Sequence, residues 1–124
     1  MEPDDLEARA VSATPSTPTP ARPAGCVAVI FTSVRTPDDD DGYQAMAATM
    51  DELAAAQRGY LGIDSARGAD GLGITVSYWA TDDDARAWKQ VAEHLGAQRL
   101  GRERWYRSYS THVAIVTRAY DWSR

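Results

Sequence analysis

The most constraining feature of this chain is a device written twice. "TPDDDDGYQAMAATMDELAAAQRG" and "TDDDARAWKQVAEHLG" each open on a threonine, run through aspartates, and continue as an apolar series at helical spacing. A threonine oxygen can accept from the orphan N–H groups of a first helical turn, and carboxylates there face the positive end of the helix dipole. Thr36 is therefore expected to cap a first helix with Pro37 at its first position, and Thr81 a second, with Asp84 as capping-box partner. Tyr43, Met46, Met50, Leu53 and Ala54 mark the buried stripe of the first, which Gly59 should stop. Ala85, Trp88, Val91, Ala92 and Leu95 mark that of the second, with Gly96 weakening it and Gly101 ending its continuation.

What surrounds these helices reads as strand. "CVAVIFTSVR" is a β-branched run suited to a buried strand, and "YLGIDSARGADGLGITVSYW" holds two strand-like runs about an Asp70-Gly71 turn. In the second of these runs Ile74, Val76 and Tyr78 share one face and Thr75, Ser77 and Trp79 the other. "YSTHVAIVTRAY" closes the series. The order β-α-β-β-α-β predicts an α+β, ferredoxin-like domain over residues 25–124, an antiparallel sheet with both helices on one face. The uncovered face is expected to be buried against a second copy of the same sheet, making a homodimer.

Residues 1–24 differ in kind. Five prolines lie among Ser, Thr and Ala, which removes backbone donors and leaves little apolar surface to offset ordering entropy, so a flexible N-terminal arm is expected. The chain starts "MEPDD", acidic where a secretory signal would be basic, and has no apolar run of membrane-spanning length; the expected address is the cytoplasm, with no membrane partner. A formal charge of −5 argues against nucleic acid, although Arg99, Arg102 and Arg104 form a local basic group. One cysteine, Cys26, excludes an intrachain disulfide, and two histidines without a second thiol make a structural zinc site a poor fit. The aspartate runs at 38–41 and 82–84 are explained by their helix starts without a metal ion.

"GYLGIDSARGADGLGITVSYW", then "AWK", "EH", "AQ", "GRERWY" and the closing strand together resemble the antibiotic biosynthesis monooxygenase domain family over residues 26–122. The resemblance implies a dimeric α+β barrel and oxygenation of an aromatic or heme-like substrate in a pocket between sheet and helices. Either no cofactor is required or heme is the substrate. For a cofactor-free oxygenase the substrate must become the electron donor to oxygen, so the site needs a base, a dry aromatic wall and a hydrogen-bond donor. His94 is the expected base, Trp88 the wall, Tyr78, Tyr106 or Arg104 the donor, and Phe31 a further substrate contact. The heme-degrading branch of the superfamily uses an asparagine on the first strand, a tryptophan on the second helix and a histidine farther along. Trp88 matches the second of these. Gln98 stands nearest the ligand position, His94 falls about a turn earlier, and the chain has no asparagine, leaving Thr32 or Ser33 as polar substitutes. His94 lies about 120° around the helix from Trp88 at ~100° per residue, at the margin of the apolar stripe; His112 is expected to be structural. The alternatives are a non-catalytic ligand-binding dimeric barrel, and an isomerase or lyase using the same cleft.

Overall fold

The computed structural model describes residues 22–124, together with the backbone of 2–5 and 8–10. The latter form a short antiparallel pair, β1 (Glu2–Asp5) and β2 (Ala8–Ala10), separate from the main sheet. The rest of the expected arm before residue 22, namely 1, 6, 7 and 11–21, lies outside the described residues. The domain follows as β3 (Val27–Arg35), α1 (Asp40–Ala55), β4 (Tyr60–Arg67), β5 (Leu72–Trp79), α2 (Asp82–His94), a short α3 (Ala97–Leu100), a π-helical turn (Gly101–Trp105) and β6 (Tyr106–Ile115). The sheet order is β4-β5-β3-β6 and every pair is antiparallel. This is the ferredoxin-like α+β fold that the element order predicts.

Register decides what each face carries. Val27, Val29, Phe31 and Ser33 of β3 stand opposite Trp79, Ser77, Thr75 and Gly73 of β5, and opposite Ile115, Val113, Thr111 and Tyr109 of β6. Because side chains alternate along a strand, this set shares one face and Ile30, Val76, Tyr78 and His112 share the other. The helices cover the first face, but unevenly. Val27, Ala54, Trp79 and Ala85 make a buried cluster against which Val29, Tyr60 and Trp88 pack, so the core sits toward one end of the sheet. Trp79 is wholly buried, stacks against Trp88 with ring centroids 5.9 Å apart, and donates its indole N–H to Ser77 Oγ at 2.9 Å. That bond satisfies the one polar atom such a large apolar group brings inside.

The two helix starts, alike in sequence, are built differently. At α2, Thr81 is the cap as expected, its hydroxyl accepting from the Asp84 N–H at 3.1 Å. At α1 the cap is Asp39, three residues past Thr36, in the left-handed region at φ 50° and accepting from the Gly42 N–H at 3.3 Å. Thr36 instead accepts from the Asp38 N–H and donates to the Arg104 carbonyl at 2.7 Å, so it ties the end of β3 to the π-helical turn. A long-range acceptor outcompeted the local cap. Gly96, at φ 74°, ends α2 outright. Gly101 is the C-cap at which the α-helical continuation, α3, ends; buried, it also starts the π-helical turn that leads to Tyr106, three residues earlier than the last strand was expected to begin.

Candidate active site

Away from the Trp79 cluster the two layers do not close on each other, and a cavity of about 550 Å³ opens between them. Its floor is the helix-side face of the sheet: Val29 and Phe31 of β3, Ile63 of β4, Thr75 and Ser77 of β5, and Tyr109, Thr111 and Val113 of β6. The roof is Tyr43, Met46, Ala47, Met50 and Asp51 of α1 with Ala85, Trp88 and Ala92 of α2, and Ala97, Gln98, Trp105 and Tyr106 complete it. The sequence makes this space by placing small side chains where core would otherwise fill: Ala47, Ala85 and Ala92 above, Ser77 and Thr75 below. Its size lies in the range of small-molecule sites. A separate cleft of about 430 Å³, lined by Gln57, Arg58, Thr81, Asp83, Asp84 and Ala87, sits where α1 ends and α2 begins and has no aromatic wall.

One end of the cavity is aromatic. Phe31, Tyr106 and Tyr109 pack with ring centroids 5.3 to 5.9 Å apart, and Tyr43 meets Trp105 and Tyr106 edge-on at 5.9 and 6.0 Å. Behind Tyr43 stand two guanidinium groups. Arg35 lies over its ring, 4.0 Å from the centroid, and Arg67 Nη2 donates to the Tyr43 hydroxyl at 3.3 Å. Arg67 is fixed by further bonds to the hydroxyl of Ser33 at 2.8 Å and to its carbonyl at 3.2 Å. Burial, followed by Tyr43 acting both as a partial charge and as a hydrogen-bond partner, raises the Tyr106 pKa well above the ordinary tyrosine value, and its hydroxyl stays protonated.

The acid groups are elsewhere on the wall. Asp82 pairs with Arg86 at 2.7 Å and Glu93 with Lys89 at 3.9 Å, which leaves Asp51. Asp51 is exposed as a residue, yet the partial burial of its carboxylate raises its pKa above the usual 3.8. It also helps raise the pKa of Tyr60, after the burial of that phenol. Sequence reasoning missed Asp51: a carboxylate one residue past the apolar stripe has the same signature as a solvated helix surface.

Of the residues named from the sequence, the structure brings Trp88, Phe31 and Tyr106 together at the cavity, with Gln98 on its wall. It does not bring His94, Tyr78 or Arg104 there. His94 is the exposed last residue of α2 and is not among the residues lining the cavity. Tyr78 is on the far face of β5, under the Arg22 guanidinium at 4.7 Å. Arg104 pairs with Asp39 at 3.6 Å. Its neighbours Arg99 and Arg102 likewise meet Glu103 at 3.5 Å and the Tyr109 hydroxyl at 3.1 Å, so the expected basic group is locally partnered. His112 is exposed on the far face of β6, opposite Ile30. Thr32 is on that face too, whereas Ser33, buried, holds Arg67.

No family model matches the chain. YqjZ of Bacillus subtilis, an uncharacterized protein, is 50% identical over 91 residues, covering 73% of this chain and 79% of YqjZ. Among solved structures, SnoaB of Streptomyces nogalater, a cofactor-independent oxygenase, superimposes with a TM-score of 0.64 at 13% identity over 77% of this chain and 97% of its own. Rv0793 of Mycobacterium tuberculosis gives 0.63 at 18% identity over 80% and 99%. A protein of Bordetella bronchiseptica, a candidate antibiotic biosynthesis monooxygenase by name, gives 0.57 at 22% over 73% and 95%. The chain therefore belongs to one family with YqjZ, and it has the fold of the antibiotic biosynthesis monooxygenases.

Proposed function

We propose that this protein is a monooxygenase of the antibiotic biosynthesis monooxygenase type, using dioxygen on an electron-rich aromatic substrate held in the cavity between sheet and helices. The observation that carries the reading is the cavity itself: a space of about 550 Å³ walled by Trp88, Phe31, Tyr106 and Tyr109, with one carboxylate on its wall, Asp51, that makes no ion pair among the described residues and is raised in pKa. The fold shared with SnoaB, a cofactor-independent oxygenase, supports it.

Asp51 takes a proton from an activated C–H or O–H of the substrate, and the resulting anion supplies the electrons that closed-shell molecules do not give readily to oxygen. The balanced change is a CH₂ carbon between aromatic rings becoming a ketone. Two hydrogens leave the carbon, one oxygen atom of O₂ becomes the carbonyl, and the other departs with both hydrogens as water. Trp88 and the aromatic end exclude solvent while the anion exists.

Neither histidine of the chain lines the cavity, so the geometry favours an aromatic substrate over heme. The protein acts as a homodimer joined through the sheet face away from the helices, where Leu72 and Ile74 are 47% and 46% exposed. No helix of the described residues is long and apolar enough to cross a membrane, and the cytoplasm is the proposed address.

The test is oxygen uptake with an anthrone, with product analysis under ¹⁸O₂. Uptake carrying one labelled atom into the product, lost in Asp51→Asn, is the expected result. Substrate conversion without uptake would replace the reading by an isomerase or lyase. Tight ligand binding with no turnover would make this a binding barrel. A parallel hemin titration is expected to give no saturable Soret shift dependent on His94.

A further inference from the structure

Three aromatic side chains leave the cavity in a line. Trp88 lines it and stacks on Trp79, with ring centroids 5.9 Å apart and 22° between planes. Tyr60 meets the same Trp79 edge-on at 5.7 Å and 74°, and the two residues are direct partners in the β4–β5 register. Both separations are those of aromatic rings in contact. The line starts at the cavity wall and passes through Trp79, which has no exposed surface. It ends on a half-buried phenol at the first position of β4, an edge strand of the sheet.

Large rings here fill the core, but their hydrogen bonds suit them to a second task. One-electron oxidation turns a tryptophan into a radical cation, a far stronger acid than the indole it came from. The Trp79 N–H is bonded to the neutral hydroxyl of Ser77 at 2.9 Å, which is too weak a base to keep that proton. A positive hole reaching Trp79 therefore stays mobile. Trp105 differs: its N–H meets the Asp39 carboxylate at 3.1 Å, so a hole there loses its proton and stops. Tyr60 is where the mobile hole can end outside the cavity. Burial first, then the charge of Asp51, raises its pKa, so the phenol keeps its proton until it is oxidised and releases it then.

We propose that Trp88, Trp79 and Tyr60 form a relay that carries a one-electron oxidising equivalent out of the cavity to the protein surface. The inference rests on the oxygenase reading for the source of the oxidant, a peroxyl radical formed when a substrate radical combines with O₂. That peroxyl radical takes one electron from Trp88 and one proton from water and becomes a hydroperoxide. Trp79 returns an electron to Trp88, and Tyr60 returns one to Trp79 and loses its phenolic proton to water. The net change is one O–H bond broken at Tyr60 and one formed on the peroxide. A soluble thiol or ascorbate then restores the tyrosyl radical by giving up a hydrogen atom. The oxidisable side chains spared are those lining the cavity, Tyr43, Tyr106, Tyr109, Met46 and Met50 among them.

The chain supplies its own handle for the test. Lys89 is the only lysine, lines the cavity next to Trp88 in the chain, and has a side chain 66% exposed. The full chain is labelled there with the succinimidyl ester of anthraquinone-2-carboxylic acid, and labelled Lys89→Arg controls for the N-terminal amine. A light flash makes the quinone an oxidant, and transient absorption follows tryptophan and tyrosyl radicals with neither substrate nor oxygen present. A tryptophan radical band that decays as a tyrosyl band grows, the latter quenched by ascorbate, is the expected result. In Tyr60→Phe the tyrosyl band should be lost and the tryptophan band should persist severalfold longer. Trp79→Phe should cut the tyrosyl yield severalfold while Trp88 is still oxidised, with circular dichroism and a melting curve checking its fold. No tyrosyl band in the wild type, or one that survives in Tyr60→Phe or at full yield in Trp79→Phe, overturns the relay and leaves the oxygenase reading standing. Absence of oxygen uptake with the anthrone refutes that reading and, with it, the protective role, whatever the flash shows.

Discussion

Trp88 and His94 lie six residues apart on one helix, and the structure separates them: one stacks on Trp79 at the edge of the cavity, the other faces water. The amphipathic stripe was legible for Trp88 because a large aromatic amid alanines at helical spacing has to point at the sheet. For His94 the stripe gave only a margin, and the structure puts it on the exposed side of that margin. His94→Ala is accordingly expected to change stability by no more than about 0.5 kcal/mol, as for other exposed positions, and to leave ligand affinity unchanged in titrations. Asp51 carries the opposite expectation. Its folded pKa lies above 3.8, so oxygenation that needs its carboxylate form should fall as pH drops through that raised value, and Asp51→Asn should remove both the activity and this acid limb. The same shift means that ionised Asp51 opposes folding: its contribution to stability improves as pH falls through the folded pKa, the reverse of a paired carboxylate. An acid limb unchanged in Asp51→Asn would place the base elsewhere.

Elements differ in how much of them is local. The α2 start was readable residue by residue, because its cap, its acids and its apolar stripe are all within one segment. The α1 start was not, since Thr36 is drawn to the Arg104 carbonyl and Asp39 to the Trp105 indole N–H at 3.1 Å, partners more than sixty residues away. Sequence spacing carries no information about such contacts. Their effect is to clamp the N-terminus of α1 to the turn that supplies Trp105 and Tyr106 to the cavity. The indole bond lowers the Asp39 pKa most; desolvation opposes it, and the Gly42 N–H and then Arg104 lower it further. A depressed carboxylate contributes stability above its unfolded pKa and loses it as pH falls through the folded value, so the clamp should weaken only below the ordinary aspartate range near 3.8. The melting temperature of Asp39→Asn should therefore lie below wild type at neutral pH, and the gap should close on acidification below that range. A gap constant across pH would mean that the charge of Asp39 is not what holds the turn.

At the scale of the molecule, the hydrophobic core is lopsided, and that follows from the two faces of one sheet. The helix-side face is shared between a compact Trp79 cluster and an open cavity. Among the described residues no helix lies on the other face, which carries Ile30, Val34, Leu72, Ile74, Val76 and Tyr78 by alternation with the residues that point at the helices. The topology was legible in the sequence because strand periodicity and helix caps are short-range signals; the division of one face into core and cavity was not, since it depends on which alanines and serines meet across the layer. A sheet with an apolar face that no described helix covers is an incomplete layer structure, and a second copy would supply the missing layer with the fewest new surfaces. Ile74, half-exposed near the start of β5, is the position at which a charge would meet its own symmetry mate or that mate's apolar neighbours. Replacing it by lysine adds a desolvated cation at such a contact and nothing unfavourable in a monomer, where the site faces water. Ile74→Lys is thus expected to shift the protein from dimer to monomer in sedimentation or light scattering, with its circular dichroism retained. If wild type and variant both sediment as monomers, the open face is not the dimer interface. If both sediment as dimers, the copies join through another surface, and the exposed outer edge of β6, with Val113 and Ile115 59% and 68% exposed, becomes the next place to introduce the charge.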